Sequence, residues 1–451
     1  MNTNNDDTTT LQELASSRRS RTATPVLLLG SHIPKSSQVV SLNGPVTIGR
    51  DRRPVDDVRA QDTEVILRTD RMLSRPHLRI AKAANRWTAE DLGSKNGTFV
   101  DGRRIETPTP LSDGSIVLFG SHAAVFRLAS EPELAAVQKE AANPFGPVAT
   151  LSPSLASTLS GLRQLAIGGH NFLFVGETGV GKEVYARAVH AASGRKGEFV
   201  AINCAALPAE LAESELFGYA RGAHSTATRA KSGLVEMADK GTLLLDEIGE
   251  MDPRLQVKLF RFLQDGQVLA LGATRTRPLD VVVMAATSQG ATSVRADLVG
   301  RLGAEPVTIP PLRDRAEDIG ALVAYFAGPA FAGAAAADVM EPAAFRALCV
   351  HAWPRNVREL GEVVKRALAL ADGRKIRVGD LPGGVRESLE AGPRVTAARK
   401  WRPAPSRIQL ERLLREHRGN ISGVAKALDR QWAVVHRWLR QHDLKADQFR
   451  G

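Results

Sequence analysis

From about Val26 to Leu128 apolar and polar positions alternate in short runs, VTIGR, HLRIAK, RWTAEDL, TFV, SIVLFG and AAVFRLA, separated by turn clusters such as SLNGP, LGSKNG, VDG and LSDG. A period of two puts successive side chains on opposite faces, so this stretch predicts an all-β sandwich. The segment from Ala129 to Thr150, ending in NPFGPVAT, breaks the pattern and reads as a linker. Beyond Leu151 the rhythm changes. NFLFV, LLLDE, VVVMAAT and EPVTIP are near-continuous apolar strands, and DPRLQVKLFRFLQ predicts a helix with Asp252 as cap and Pro253 in its first turn. Strands alternating with helices as far as Ile309 predict a parallel sheet covered on both faces.

From Arg313 to Asp380 the chain is Ala-rich and helical, as expected of a lid on the α/β core. A Pro- and Arg-bearing spacer, GPRVTAARKWRPAP, follows. IQLERLLREHRG then places Leu410, Leu413 and Leu414 on one helical face and stops at Gly419 and Asn420. ISGVAKALDRQWAVVHRWLRQHDL predicts two short helices around a turn near Asp429, a helix-turn-helix layout with Val435 and Leu439 facing its core. The expected organisation is multidomain: a tail (1–24), an all-β sandwich (25–130), a linker (131–149), an α/β core (150–312), a helical lid (313–382), a second linker (383–405) and an all-α helix-turn-helix (406–446).

Composition narrows the class of partner. The net charge is +11, and residues 391–451 hold 14 Lys and Arg against 5 Asp and Glu, so the final segment alone supplies +9 of it. A basic charge concentrated on a helical tail favours a polyanion such as DNA over an acidic small substrate. Cys204 and Cys349 lie in apolar surroundings without pairing or metal-ligand spacing and read as reduced core residues. No stretch is long and apolar enough for a signal or a membrane span, which sets the expectation of a soluble, cytoplasmic protein.

Candidate chemistry is densest in FLFVGETGVGKEVYARAV, residues 172–189, and in GTLLLDEIGE, residues 241–250. In the first, a strand ends at Gly176, and Gly179 and Gly181 allow a bend whose N–H groups face an anion. Lys182 adds a point charge at a helix start. In the second, a buried strand delivers Asp246 and Glu247 to its carboxyl end, where one carboxylate can hold Mg²⁺ and the other can polarise water. The pair predicts ATP binding and hydrolysis.

The loops of the sandwich carry a second constellation: Arg50 in GRD, Ser74, Arg75 and His77 in LSRPHL, and Asn96 and Gly97 in LGSKNGTFVDG. These residues resemble the forkhead-associated (FHA) domain, a phosphothreonine-binding sandwich. The resemblance implies that Arg50, Ser74 and Arg75 bind the phosphate, that Asn96 fixes the peptide backbone and that His77 braces the loop. A guanidinium fork with hydroxyl donors on rigid loops suits a phosphate dianion. The ligand expected is a phosphothreonine-containing protein or a phosphorylated segment of the chain itself, such as Thr8 to Thr10.

GETGVGKE, NCAALPAELAESELFGYARGA, GTLLLDEIGEM, RFLQDGQV, IPPLRDRAEDI and WPRNVREL, in that order, resemble the sigma-54-dependent transcription activators of the AAA+ ATPases. The likeness runs from about Thr150 to Leu381. It implies that Gly176, Glu177, Thr178, Gly179, Val180, Gly181, Lys182 and Glu183 surround the nucleotide, with Glu183 where most phosphate loops have Ser or Thr. Asp246 would hold Mg²⁺ through water and Glu247 would activate the attacking water, with Asn203 as the switch restraining it. Arg295 and Arg301 would reach the neighbouring subunit's nucleotide in a homo-oligomeric ring, and Arg358 would be the lid arginine. Three features depart from the family. Its remodelling loop GAFTGA is GAHSTA here, with His224, Ser225 and Thr226 at the sigma-contact positions. Ser288 stands for the sensor Asn, and Arg355 replaces a lid glycine.

The terminal helices resemble a Fis-type DNA-binding domain, which implies Gln431, Trp432, His436, Arg437 and Arg440 toward a major groove, with Arg412, Arg415 and Lys426 at phosphates. Two readings stay open at this point. One is a phosphorylation-responsive regulator, bound at upstream DNA sites, that remodels sigma-54 RNA polymerase. The other is a DNA-binding regulator independent of sigma-54 whose nucleotide controls only oligomerisation.

Overall fold

The computed structural model describes residues 24–29, 38–50, 59–61, 64–66, 71–223, 229–290, 294–303, 306–328, 339–391, 407–417, 419–428, 435, 439, 444 and 446–449. The chain divides into two compact units. One holds residues up to 160 together with 312–352 and 360–393; the other holds 161–311, 353–359 and 394–451.

In the first unit the alternating runs become β1 (Thr24–Leu29), β2 (Gln38–Ser41), β3 (Val46–Gly49), β4 (Arg59–Gln61), β5 (Glu64–Ile66), β6 (Leu78–Ala83), β7 (Arg86–Asp91), β8 (Thr98–Val100), β9 (Arg103–Arg104), β10 (Thr109–Pro110), β11 (Ile116–Phe119) and β12 (His122–Ala129). Among the described residues they form two six-stranded sheets, ordered β2-β1-β12-β11-β8-β9 and β10-β7-β6-β3-β5-β4. Neighbouring strands are antiparallel except β3 and β5. The apolar members of each alternation, including Leu27, Leu29, Ile48, Leu78, Ile80, Val117, Phe119 and Phe126, fill the space between the sheets.

The stretch expected as a linker is in part a helix, α1 (Glu131–Ala142). Its entry is fixed by Glu133, whose carboxylate accepts from the amide and hydroxyl of Ser130, with Pro at the first turn and Lys139 in the last. Pro153–Ile167 follows as α2. The later part of this unit contains α8 (Ile319–Ala327), α9 (Pro342–Val350), most of α10 (Asn356–Ala371) and α11 (Gly383–Ala391). It is tied to the sandwich by Arg127 on β12. That guanidinium donates to both carboxylate oxygens of Glu317 (2.9–3.2 Å) and to the Asp314 carbonyl (2.5 Å). The Glu317 side chain is 0% exposed, so its charge is tolerated only because it is paired. Asp318 beside it accepts from the Thr150 hydroxyl (2.6 Å) and the Leu151 amide (2.8 Å).

In the second unit β13 (Phe172–Val175), α3 (Lys182–Ser193), β14 (Phe199–Asn203), α4 (Ala209–Phe217), α5 (Leu234–Met237), β15 (Thr242–Asp246), α6 (Pro253–Asp265), the short pair β16 (Gln267–Val268) and β17 (Arg277–Pro278), β18 (Val282–Thr287), α7 (Ala296–Arg301) and β19 (Val307–Thr308) succeed one another. The main sheet is parallel throughout, ordered β14-β15-β18-β13-β19. Asp252 caps α6 by accepting from the Arg254 amide, with Pro253 at its start. The carboxyl ends of β13, β15 and β18 lie side by side, which gathers residues 176–182, 246–247 and 288 at one edge.

At the carboxy terminus α12 (Arg407–Glu416) and α13 (Ile421–Ala427) pack around Leu410, Leu414, Val424, Val435, Leu439 and Leu444. Val435 and Leu439 are buried in this cluster. Cys204 and Cys349 are unpaired and buried, and burial pushes the Cys204 thiol up to about 12. Among the described residues no helix is long and apolar enough to cross a membrane.

Candidate functional site

The phosphate loop is built by backbone exclusion. A side chain at Gly176 would meet the Ile309 carbonyl at 2.7 Å. One at Gly179, where φ is +82°, would meet the Arg355 carbonyl at 2.2 Å. Gly181 takes φ +105° as it turns the chain into α3. The lid turn closes on this loop: Asn356 is fully buried, and its amide donates to Glu177 Oε2 (3.1 Å) and the Thr178 carbonyl (3.0 Å). The Arg358 backbone amide donates to the Gly179 carbonyl at 3.2 Å. Val180 of this loop is buried.

Lys182 is 7% exposed and folds back on its own loop. Its Nζ donates to the Gly176 carbonyl at 2.9 Å and stands 3.6 Å from Glu247 Oε1. Burial lowers its pKa, against the opposing pull of Glu247 and Asp246. Asp246, at the end of β15, accepts from the Glu247 amide at 3.1 Å. Desolvation raises its pKa and the neighbouring Glu247 adds to the rise, while Lys182 opposes it. An acidic pair with one buried cation is a site that gains from a further cation.

Glu247 adopts the left-handed conformation, φ +51°, which sets its carboxylate against Ser288. The Ser288 hydroxyl and amide donate to the same oxygen, Oε2, at 2.8 and 3.0 Å. No hydrogen bond joins Asn203 to Glu247 among the described residues. Asn203 does pair in register with Asp246, but its side-chain oxygen accepts from the Ala205 amide at 3.0 Å and caps the following turn. Glu183 is exposed and ion-paired along α3 with Arg187, turned along the helix surface rather than into the loop. Arg295 and Arg301, at the two ends of α7, are exposed; Arg295 is held by Asp297, and neither pairs with the acidic residues of this site.

The loops of the sandwich meet around His77. The fully buried His77 accepts the Ser74 amide on Nδ1 (3.1 Å) and meets the Gly97 carbonyl through Nε2 (3.3 Å). The Arg50 amide donates to the Ser74 carbonyl, and its Nε is buried without a partner among the described residues. Ser74 Oγ accepts from the Lys95 amide (2.9 Å), leaving its proton to donate, and Asn96 is fixed through the Met72 carbonyl (2.7 Å). Arg75 is exposed beside them. Asp91 anchors the far side of the loop by accepting from Ser94 and Thr98; these bonds outweigh its burial and lower its pKa.

Residues 148–306 match the model of the sigma-54 interaction domain. The central domain belongs to the sigma-54 activator family. Residues 46–120 match the FHA domain and 313–398 an AAA+ ATPase lid domain, so this sigma-54 activator domain carries an FHA sandwich before it and an AAA+ lid after it. The chain is 39% identical over 319 residues to the anaerobic nitric oxide reductase transcription regulator NorR of Citrobacter koseri, a match that spans 66% of this chain and 63% of that protein's length, less than two thirds of it. The crystal structure of NtrX from Brucella abortus in complex with ATP is similar at 29% identity, covering 69% of this chain and 73% of that one, with a TM-score of 0.47. A structure described as a phosphothreonine-dependent FHA domain is 28% identical over 23% of this chain and 95% of its own, with a TM-score of 0.19. His224, Ser225 and Thr226, expected at a sigma contact, and Gln431, Trp432, His436, Arg437 and Arg440, expected toward a major groove, lie outside the described residues, as does the side chain of Lys426. Arg412 and Arg415 are exposed on α12.

Two features of the site escape sequence reasoning: the grip of Ser288 on Glu247 and the insertion of Asn356 into the phosphate loop. Each joins residues distant along the chain, and the WPRN signature marked Asn356 without saying what it touches.

Proposed function

We propose that this chain is a phosphothreonine-responsive, DNA-bound regulator that uses ATP to remodel sigma-54 RNA polymerase. The observation that carries the reading is the sigma-54 interaction domain itself, in which Lys182, Asp246 and Glu247 stand together at one sheet edge. In this reading the amides of residues 176–181 and Lys182 cradle the phosphates, and Arg358 approaches them from the lid turn. Asp246, flanked by Glu247 and raised in pKa by its burial, has the chemistry to hold Mg²⁺ through water, and the ion would neutralise phosphate charge. Glu247 polarises the attacking water once it leaves Ser288. Arg295 and Arg301, exposed on α7, serve the nucleotide of a neighbouring copy, which makes turnover depend on a ring; an arginine given in trans is worth about 10³ to 10⁵ in rate.

Arg50, Ser74 and Arg75 bind the phosphate of a phosphothreonine, Asn96 holds the peptide backbone, and the terminal helices bind DNA upstream of the promoter. The protein then works in the cytoplasm. Open-complex formation by sigma-54 holoenzyme, ATP and this chain on a promoter with its bound site tests the reading. Open complexes that require ATP are expected. Hydrolysis without open complexes overturns sigma-54 remodelling and leaves a regulator whose nucleotide governs assembly. Loss of phosphothreonine-peptide binding in Arg50→Ala checks the sandwich separately.

A further inference from the structure

A cavity of about 380 Å³ lies between the recognition loops of the sandwich and helix α9, lined by Met72, Asn96 and Gly120 on one side and by Glu341, Pro342, Ala343 and Arg346 on the other. Both walls belong to the first unit. Asn96 is the residue read above as holding the peptide backbone, and it lines this cavity, so a peptide held by it lies beside the cavity.

The charges lining it are uneven. Glu341 is already engaged by Arg377 at 3.1 Å. Arg346 packs its guanidinium over the Phe99 ring, 4.3 Å from the centroid, and its Nε is buried with no hydrogen-bond partner among the described residues. Among the described residues it pairs with no carboxylate, and burial lowers its pKa with nothing opposing. Arg127, another partly buried arginine of this unit, shows the usual solution: Glu317 answers it with both oxygens. A half-buried guanidinium without an anion, aligned by an aromatic ring beside an empty volume, lacks the partner that its desolvation calls for.

We propose that the lid helix completes the phosphopeptide site: Arg346 binds the carboxylate of an Asp or Glu that flanks the phosphothreonine, so that sandwich and lid read the ligand together. The assignment rests on the phosphothreonine reading of the sandwich and adds to it a charge preference and a contact with the ATPase lid. No covalent step is involved; the guanidinium donates two hydrogen bonds to the carboxylate in a geometry that lysine does not reproduce.

The test uses the full chain and fluorescence anisotropy with Ala-based peptides bearing one phosphothreonine, in which Glu replaces Ala at each flanking position in turn. One position is expected to tighten binding about tenfold, the size of a single charge-assisted interaction. In Arg346→Ala and in the size-conserving Arg346→Gln the ratio of Glu-peptide to Ala-peptide affinity should fall to about one, with Arg346→Lys between. Thermal melting identifies a variant that has lost its fold, in which case the other variant decides. If no phosphopeptide binds, the phosphothreonine reading falls and this one with it. If phosphopeptides bind with no Glu preference, or with one that survives loss of Arg346, only the present inference is overturned.

Discussion

Removing the Ser288 hydroxyl should release Glu247, the glutamate proposed above to polarise the attacking water. In the structure Glu247 Oε2 receives two donors, the Ser288 hydroxyl at 2.8 Å and the Ser288 amide at 3.0 Å, while Oε1 faces Lys182 Nζ at 3.6 Å. The Glu247 side chain is 20% exposed, so solvent competes only partly for these bonds. A hydrogen bond to a charged group is worth about 1.5–3 kcal/mol. Ser288→Ala deletes one and keeps the amide, so the lower end applies, about 1.5 kcal/mol, or roughly tenfold in the balance between held and released carboxylate. If the held state dominates before water attacks, kcat for ATP hydrolysis rises several-fold toward that limit. KM changes little, because Ser288 touches Glu247 and not the phosphate loop. Phosphate release at saturating ATP, measured on the assembled full chain with Ser288→Thr as the hydroxyl-keeping control, checks this. A kcat that falls, or that stays within about twofold of the parent, refutes the reasoning.

Lys182→Ala should abolish ATP binding measured by a fluorescent nucleotide, because the loop loses its point charge together with the bond from Nζ to the Gly176 carbonyl. Arg127→Ala leaves Glu317 buried without a partner and should cost about 3–5 kcal/mol of stability by denaturant melting, with Arg127→Ala/Glu317→Gln losing less. Burial raises the Glu317 pKa and Arg127 opposes it. A carboxyl raised in the folded state contributes stability when protonated and loses it as pH rises from the ordinary carboxylate value through the raised one. The Arg127→Ala deficit should therefore shrink as pH falls through that window, and a pH-independent deficit counts against it. Gly179→Ala should lower both stability and nucleotide affinity, since its φ of +82° and the Arg355 carbonyl at 2.2 Å leave no place for a methyl group. Wild-type affinity in that variant would show that the lid turn yields freely.

What could be read in advance depended on how local the signal was. Alternation and turn chemistry marked the strands VTIGR, HLRIAK and RWTAEDL, and Asp252 with Pro253 marked the start of α6, because each is decided within a few residues. Helix α1 was hidden by the loop-like NPFGPVAT that follows it, although the Ser130 and Glu133 pair three residues apart was a cap signal in plain view. The phosphate loop and acidic strand were legible as motifs, but the partner of Glu247 was not. Ser288 reaches it because β15 lies beside β18 in the sheet, an adjacency that neither segment encodes alone. For the same reason Arg346 opposite Asn96 had no signature: the loop and the helix are far apart in sequence and meet only through folding.

The close approach of Arg355 to Gly179 also has a bearing on inheritance. A mutation that enlarges residue 179 presses on a carbonyl, so no change of side chain at 355 can make room for it; the path of the turn itself would have to move. Asn356, buried and bonded into the same loop, restricts that path further. Drift at the two segments is thereby linked, and a chimera that takes its phosphate loop from one homologue and its lid turn from another should fail more often than one that transfers both.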